Sequence, residues 1–357
     1  MKKMISYLIS AVICLVVMAP MASSSVADIG EPSEKLPTSH MIENVPFHKQ
    51  LTGVLCGAGS LEMVFDYWGP DIDQKEVADV ARTSSSGTYT YDIVRTGHFS
   101  YLSSAMGYYF PHDAPEAGFT ERAIGYASFG YSSDEFWLDE LKTLIANDIP
   151  VIVLMNYYPD GGGGHYRVVI GYDDIAGEVW FIDTWGRDIM RPSGFTGIIS
   201  WSYEDFQSGW NYAEYGTEHP YFGAIIMPWT VEVSVLGNAK PGSSITVNAD
   251  ITYPCPWFVD SSLFPASDAI ASISLPEGFT LKSGSAEASL GDMSAGSSAS
   301  VTWKVKCGST VSGESISVSA GGIVYGSVPD AQWAGNKNYY PAYDYMDMIG
   351  GEATVLL

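Results

Sequence analysis

The spacing of apolar residues changes character along this chain. Between Cys56 and Trp68 they fall at Leu61, Val64, Phe65 and Trp68, the spacing of one helix face, and Gly69-Pro70 closes the segment. Asp73 followed by Glu76 is a capping pair that predicts a second helix running through Arg82. Ser133 is placed to cap a third, carrying Phe136, Leu138, Leu141, Leu144 and Ile145. The period then switches. Residues 151–155 are one apolar run, and residues 165–172 and 178–183 read as strands joined by the short turn 173–177, a hairpin. Residues 222–227 form a last apolar run. Helices first and antiparallel strands after them predict an α+β domain over residues 41–229.

From about Thr230 helical spacing disappears. Residues 231–235, 244–251, 298–305 and 315–320 alternate apolar with Ser, Thr or charged positions. Turn sequences such as Lys240-Pro241-Gly242-Ser243 and Pro276-Glu277-Gly278 separate runs of this kind. Short strands at this spacing predict an all-β sandwich over residues 230–357, with the tail 350–357 as its closing strand. The stretch 333–345 is aromatic and irregular.

The N-terminus has a third character. Lys2 and Lys3 precede an apolar run from Ile5 to Met18, and small residues follow up to Ser25-Val26-Ala27. This is the form of a cleaved export signal, residues 1–27, and the run is short for a membrane span. Cys14 lies inside it. Polar, Pro-containing residues 28–40 read as a linker. The expected mature chain is secreted or at the cell surface and has no transmembrane segment. The formal net charge of −24 on 357 residues becomes more negative when the signal leaves, which argues against nucleic acid and anionic membranes as partners.

Export gives the cysteines meaning. Cys255 and Cys307 are the pair expected to oxidise, closing a loop of roughly 50 residues and contributing on the order of 4 kcal/mol. Cys56 is then an odd thiol, which in an exported protein points to reactivity. It opens the first helix, where unpaired N–H groups and the dipole favour thiolate. Gln50, six residues earlier, is placed to aim its amide at the oxygen of a tetrahedral intermediate, with the Cys56 N–H as second donor. His165 follows four glycines and opens a strand, which suits a rigidly held base. Asp183 ends the partner strand, and the hairpin returns it to His165, where it can fix the imidazole tautomer. Trp185 is a candidate shield for that bond. His48, His98 and His112 have no such setting. Asp160, Asp173, Asp174 and Asp188 form no loop of calcium spacing, no Cys/His pair has zinc spacing, and the glycines 161–164 lack the helix and lysine of a phosphate loop. No cofactor or metal is expected.

At these residues the chain resembles the papain-like cysteine peptidases, and within them the bacteriocin-processing, double-glycine-leader group and its secreted stand-alone relatives. The similarity rests on Val45-Pro46 with Gln50, on Cys56-Gly57 with Ser60, on the run from Gly164-His165 through Val168-Val169 to Gly171-Tyr172-Asp173, and on Asp183-Thr184-Trp185-Gly186, where Thr184 stands in place of a frequent proline. The resemblance implies Cys56 as nucleophile, His165 as base, Asp183 as orienter and Gln50 as oxyanion donor, acting on a peptide or protein substrate. Residues after about 230 resemble Ig-like sandwich modules of extracellular proteins, which implies a cell-surface partner. Two alternatives use the same residues: a catalytically silent binding or adhesion protein, and an acyl transferase or amidase.

Overall fold

The computed structural model describes residues 35–103, 124–186, 197–332 and 339–357; the expected signal segment, Cys14, His112 and Asp188 lie outside them. The first helix, α1 (Cys56–Trp68), has the predicted bounds. Leu61, Met63, Val64 and Phe65 are fully buried, each contributing about 1.5–3 kcal/mol. Gly69 stops the helix with φ 145, a conformation that penalises a side chain. Asp73 caps α2 (Gln74–Val80) by accepting the Lys75 N–H, and this helix ends before Arg82. A helix that the apolar pattern did not announce follows, α3 (Thr90–His98). The helix expected from Ser133 begins later, as α4 (Leu138–Ala146): Ser133 instead holds a local turn through the Glu135 N–H.

The helices serve one seven-stranded antiparallel sheet. Its strands are β1 (Ser39–Met41), β2 (Ala127–Tyr131), β3 (Val151–Tyr158), β4 (Gly161–Asp173), β5 (Glu178–Asp183), β6 (Ile198–Ser202) and, after α5 (Tyr203–Trp210), β7 (Gly223–Met227). The order is β2-β7-β3-β4-β5-β6, with β1 also on β4. The predicted hairpin is β4–β5, in register with Arg167 opposite Asp183 and Asp173 opposite Glu178. Helix α1 lies against β4, so the start of the helix and the start of the strand meet. That meeting is where the chemistry described below is found.

Two four-stranded sheets follow. One is β11 (Thr280–Leu281), β13 (Ser298–Lys306), β9 (Ser244–Thr252) and β8 (Thr230–Leu236); the other is β12 (Glu287–Met293), β10 (Ala266–Ser274), β14 (Ser315–Val328) and β17 (Tyr343–Leu356). A two-stranded piece, β15 (Ala331–Gln332) with β16 (Tyr339–Tyr340), completes the set. Alternation is visible in β9, where Ile245, Val247, Ala249 and Ile251 are buried and their neighbours are not. The closing strand is longer than the expected tail. It begins at Tyr343 and pairs with β14 over its whole length, through Gly321 opposite Gly350. A Cβ on Gly350 would lie 2.1 Å from the Ala320 carbonyl oxygen, so these glycines admit a close backbone approach inside a strand.

The expected disulfide is not formed: Cys255 and Cys307 are free, buried thiols. The topology explains why. Tyr253, just before Cys255, bonds to Ser297 at the start of β13, whereas Cys307 follows its end. A strand of 9 residues separates the two sites, roughly 30 Å at about 3.3 Å per residue, while a disulfide needs Cα atoms within about 7 Å.

The later sheets dock on the helices of the first region. The Gly125 N–H donates to the Met348 carbonyl at 2.6 Å, and Gly350 returns a bond to Gly125 at 3.1 Å. Arg95 of α3 lies 3.3 Å from Asp347 and donates to the Tyr343 hydroxyl at 2.8 Å. Arg82 forks onto Asp92 at 2.7 and 3.0 Å and also donates to the carbonyls of Pro329 and Pro341.

Candidate active site

Cys56 is the first residue of α1. The opening helical bond runs from the Gly59 N–H to the Leu55 carbonyl, 2.8 Å. The N–H groups ahead of it have no intrahelical acceptor and face outward from the helix end. The Gly57 N–H uses this freedom to bond to the sulfur, as does the Tyr166 N–H from β4, and the sulfur also bonds to the His165 imidazole. Burial alone would raise the thiol's pKa. The hydrogen bond and charge of His165, with the two N–H groups, outweigh it and bring Cys56 below its ordinary value of 9.0.

His165 sits on β4 opposite Met155 of β3. Its Nε2 lies 3.1 Å from Asp183 Oδ1, which leaves Nδ1 for the sulfur. The Tyr157 ring meets the imidazole edge-on at 5.2 Å. Burial and the positive charge of Arg167 work against imidazolium. Asp183, by charge and hydrogen bond, and the Cys56 bond prevail, and His165 rises above 6.5. The two shifts have opposite signs and share one contribution, the hydrogen bond between sulfur and imidazole, with Asp183 the larger cause of the imidazole's rise.

Asp183 is fully buried and yet ionised. Its Oδ1 also accepts the Trp185 N–H at 2.8 Å, and its Oδ2 accepts Arg167 Nε at 2.7 Å. Burial would raise this carboxyl; His165, Arg167 and the Trp185 N–H hold it well below the usual carboxylate range. Arg167 is itself fixed by bonds to the carbonyls of Asn156 and Tyr157 at 2.9 and 2.8 Å. A buried charge that lacked such partners would be expensive, and here every member of the set has them.

Gln50 is 3% exposed. Its backbone N–H donates to the Thr184 carbonyl at 2.9 Å, its Oε1 accepts the Thr184 hydroxyl at 2.6 Å, and its Nε2 donates to the Thr52 carbonyl at 2.6 Å. The segment around it is tied to α1 and α2. His48 lies 2.7 Å from Asp66 and 3.4 Å from Glu62, and Gln74 accepts the Leu51 N–H and donates to Glu62. His48 is thus an anchor for this segment. Among the described residues, His48, Asp66 and Asp71 bring donor atoms within 4.8 Å of one another, a grouping the sequence spacing did not suggest. Asp173 and Asp174 are engaged in a turn and with Lys142 and Tyr203.

The structure therefore joins Cys56, His165 and Asp183 by hydrogen bonds, and joins Gln50 to the residue after Asp183. Trp185 contributes its backbone N–H to Asp183. The sequence spacing singles out neither Arg167 nor Tyr166, and it marks Thr184 only as a departure from a frequent proline. Arg167 had a signal: it is two residues after His165 on a strand, hence on the same face, with Asp183 predicted opposite.

A buried thiol and imidazole in contact are an arrangement that a cysteine-type peptidase can use, and a cysteine-type peptidase is the class of this protein. Residues 42–215 match the model of the Peptidase_C39 like family. Among solved structures, xylellain, a cysteine protease from Xylella fastidiosa, matches at 15% identity and a TM-score of 0.38, over 59% of this chain and 95% of that one. No curated protein matches the chain.

Proposed function

We propose that this protein is an exported, papain-like cysteine peptidase that hydrolyses peptide bonds with Cys56 as nucleophile, His165 as acid and base, Asp183 as orienter, and Gln50 with the Cys56 N–H as oxyanion donors. One observation carries the reading: His165 bonds to Cys56 through one side of its ring and to Asp183 through the other. Peptidase domain and Ig-like sandwich module divide near residue 230, where the sheets change. The module's role is to hold a cell-surface partner.

The chemistry follows from the charge states. The Cys56 thiolate attacks the substrate carbonyl carbon, and the π electrons move onto oxygen, where the donors stabilise the new anion. The oxyanion collapses as the C–N bond breaks, and the amine leaves with the proton of the His165 imidazolium. A thioester remains on Cys56. Water, giving its proton to His165, attacks that carbonyl; the carboxylic product departs and the thiolate–imidazolium pair is restored. Asp183, held ionised by Arg167, keeps the imidazole in the required tautomer throughout.

The test is labelling by a peptide carrying a thiol-directed warhead, followed by product analysis with a peptide library. The reading expects labelling confined to Cys56 and hydrolysis lost in Cys56→Ala and His165→Ala. Labelling that persists in Cys56→Ala contradicts it. Amide products formed with an added amine would assign acyl transfer to the same residues.

A further inference from the structure

Asp183 and Thr184 are consecutive, and each reaches a different half of the site. Asp183 holds the imidazole; Thr184 holds Gln50 twice, through its carbonyl and through its hydroxyl. Thr184 is fully buried, and its methyl group packs against α1, 3.3 Å from where a Cβ on Gly59 would stand, one turn beyond Cys56.

The Gln50 amide is held at both ends. A primary amide can be seated in two ways that differ by exchange of oxygen and nitrogen. Here the Thr184 hydroxyl donates to Oε1, and the Thr52 carbonyl accepts from Nε2. The exchanged seating would set Gln50 oxygen against the Thr52 carbonyl oxygen, two acceptors in a dry place. The Thr52 carbonyl therefore selects the seating, and the Thr184 hydroxyl, which can donate or accept, donates to Oε1 and holds the amide in it. In this seating Nε2 spends one N–H on Thr52 and keeps the second for another acceptor. A side chain without a hydroxyl at position 184 would leave Oε1 buried and unpaired and would release one of the two bonds that hold the amide.

We infer that Thr184 is a positioning residue for the oxyanion donor: its hydroxyl fixes the Gln50 amide so that the remaining N–H addresses the tetrahedral intermediate. This rests on the proposed roles of Cys56 and Gln50. Because Thr184 adjoins Asp183, one turn of chain sets both the base and the oxyanion site against the helix that bears the sulfur.

The experiment compares Thr184→Val, which keeps the shape and removes the hydroxyl, with Thr184→Ser, which keeps it. Three quantities are read: kcat and KM for a peptide substrate, affinity for a peptide aldehyde, and the rate of Cys56 alkylation by iodoacetamide. The aldehyde forms an S–C bond to Cys56 and places an oxyanion where the intermediate's would be, whereas alkylation needs only the thiolate. Thr184→Val is expected to lose roughly ten- to hundredfold in kcat with KM little changed, and to bind the aldehyde correspondingly less well. Its alkylation rate stays at the wild-type value, which also shows that the fold is intact, and Thr184→Ser stays within about threefold of wild type on every readout. Unchanged kcat and aldehyde affinity in Thr184→Val overturn the inference while leaving the peptidase reading intact, provided Cys56→Ala is inactive. Equal damage in Thr184→Ser, or a parallel fall in alkylation, also overturns it by assigning Thr184 a packing role. An active Cys56→Ala removes the peptidase reading and this inference together.

Discussion

The two regions of the chain each bury thiols, and they treat them in opposite ways. In the first region, Cys56 stands at a helix start beside an imidazole, and its pKa falls below the ordinary value. In the second, Cys255 is buried beside Asp260 with no positive partner, and burial and that charge push it up to about 11. Burial is common to both. The difference is what the surrounding backbone and side chains offer a negative charge. The same contrast extends to polar groups in general. Gln50, His165, Arg167 and Asp183 are all buried around the first sheet and all partnered, whereas the strands of the second region send apolar residues in and Ser, Thr and charged residues out. The first region accepts the cost of buried polarity at several positions; in the second, Asp347 is buried where it meets Arg95 of the first.

The largest expected effect separates the thiols. Cys56→Ala or His165→Ala should lower kcat by about four to six orders of magnitude, while Cys255→Ala and Cys307→Ala stay within about threefold. A comparable loss in Cys255→Ala would break the contrast. Next comes Asp183→Asn, expected to cost about 10⁴-fold in kcat by presenting the wrong tautomer. It also carries a pH signature. The active pair forms as pH rises through the lowered Cys56 pKa and is lost as pH rises through the His165 pKa, which Asp183 raises above 6.5. The alkaline limb of kcat/KM should therefore move down in Asp183→Asn; an unmoved limb assigns the imidazole's shift to another cause.

How much of this was legible in the sequence depended on whether polarity or apolar spacing carried the element. Helix α1, the β4–β5 hairpin and the alternating strands β8, β9 and β13 follow the apolar pattern and were read within a residue or a few. Helix α3 was not, because its buried face holds Asp92, Arg95, Thr96 and His98, residues that read as solvent-facing until their partners are known: Arg82 for Asp92, the Asp92 carbonyl for Thr96, and second-region residues for Arg95 and His98. The glycines of β14 and β17 permit close strand contact, which apolar spacing does not mark. Of the site, Cys56, His165, Asp183 and Gln50 were visible from spacing; Arg167 and Thr184 act through geometry that only the folded hairpin creates. The disulfide was inferred from compartment and parity, and neither contains the length of the strand between the two cysteines.

The junction of the regions offers a third prediction. Arg95 and Asp347 are both buried, so Asp347→Ala should destabilise the protein by about 3–5 kcal/mol in urea unfolding by leaving an unpaired cation. A change below about 1 kcal/mol would mean that water reaches this pair and that the regions are only loosely docked. The smallest effect concerns the second region's thiols. A reductant should leave the melting temperature unchanged, since no disulfide is present to be lost; a fall equivalent to about 2–4 kcal/mol would contradict the separation of Cys255 from Cys307.

The central claim is that Cys56 is a thiolate because His165 is an imidazolium beside it. The most direct measurement is the rate of Cys56 alkylation by iodoacetamide across pH, with Cys255 and Cys307 replaced by Ala, in the wild-type site and in His165→Ala. The account predicts a titration below 9.0 that moves up when the imidazole is removed. A wild-type thiol that titrates at or above 9.0, unmoved by His165→Ala, would contradict it.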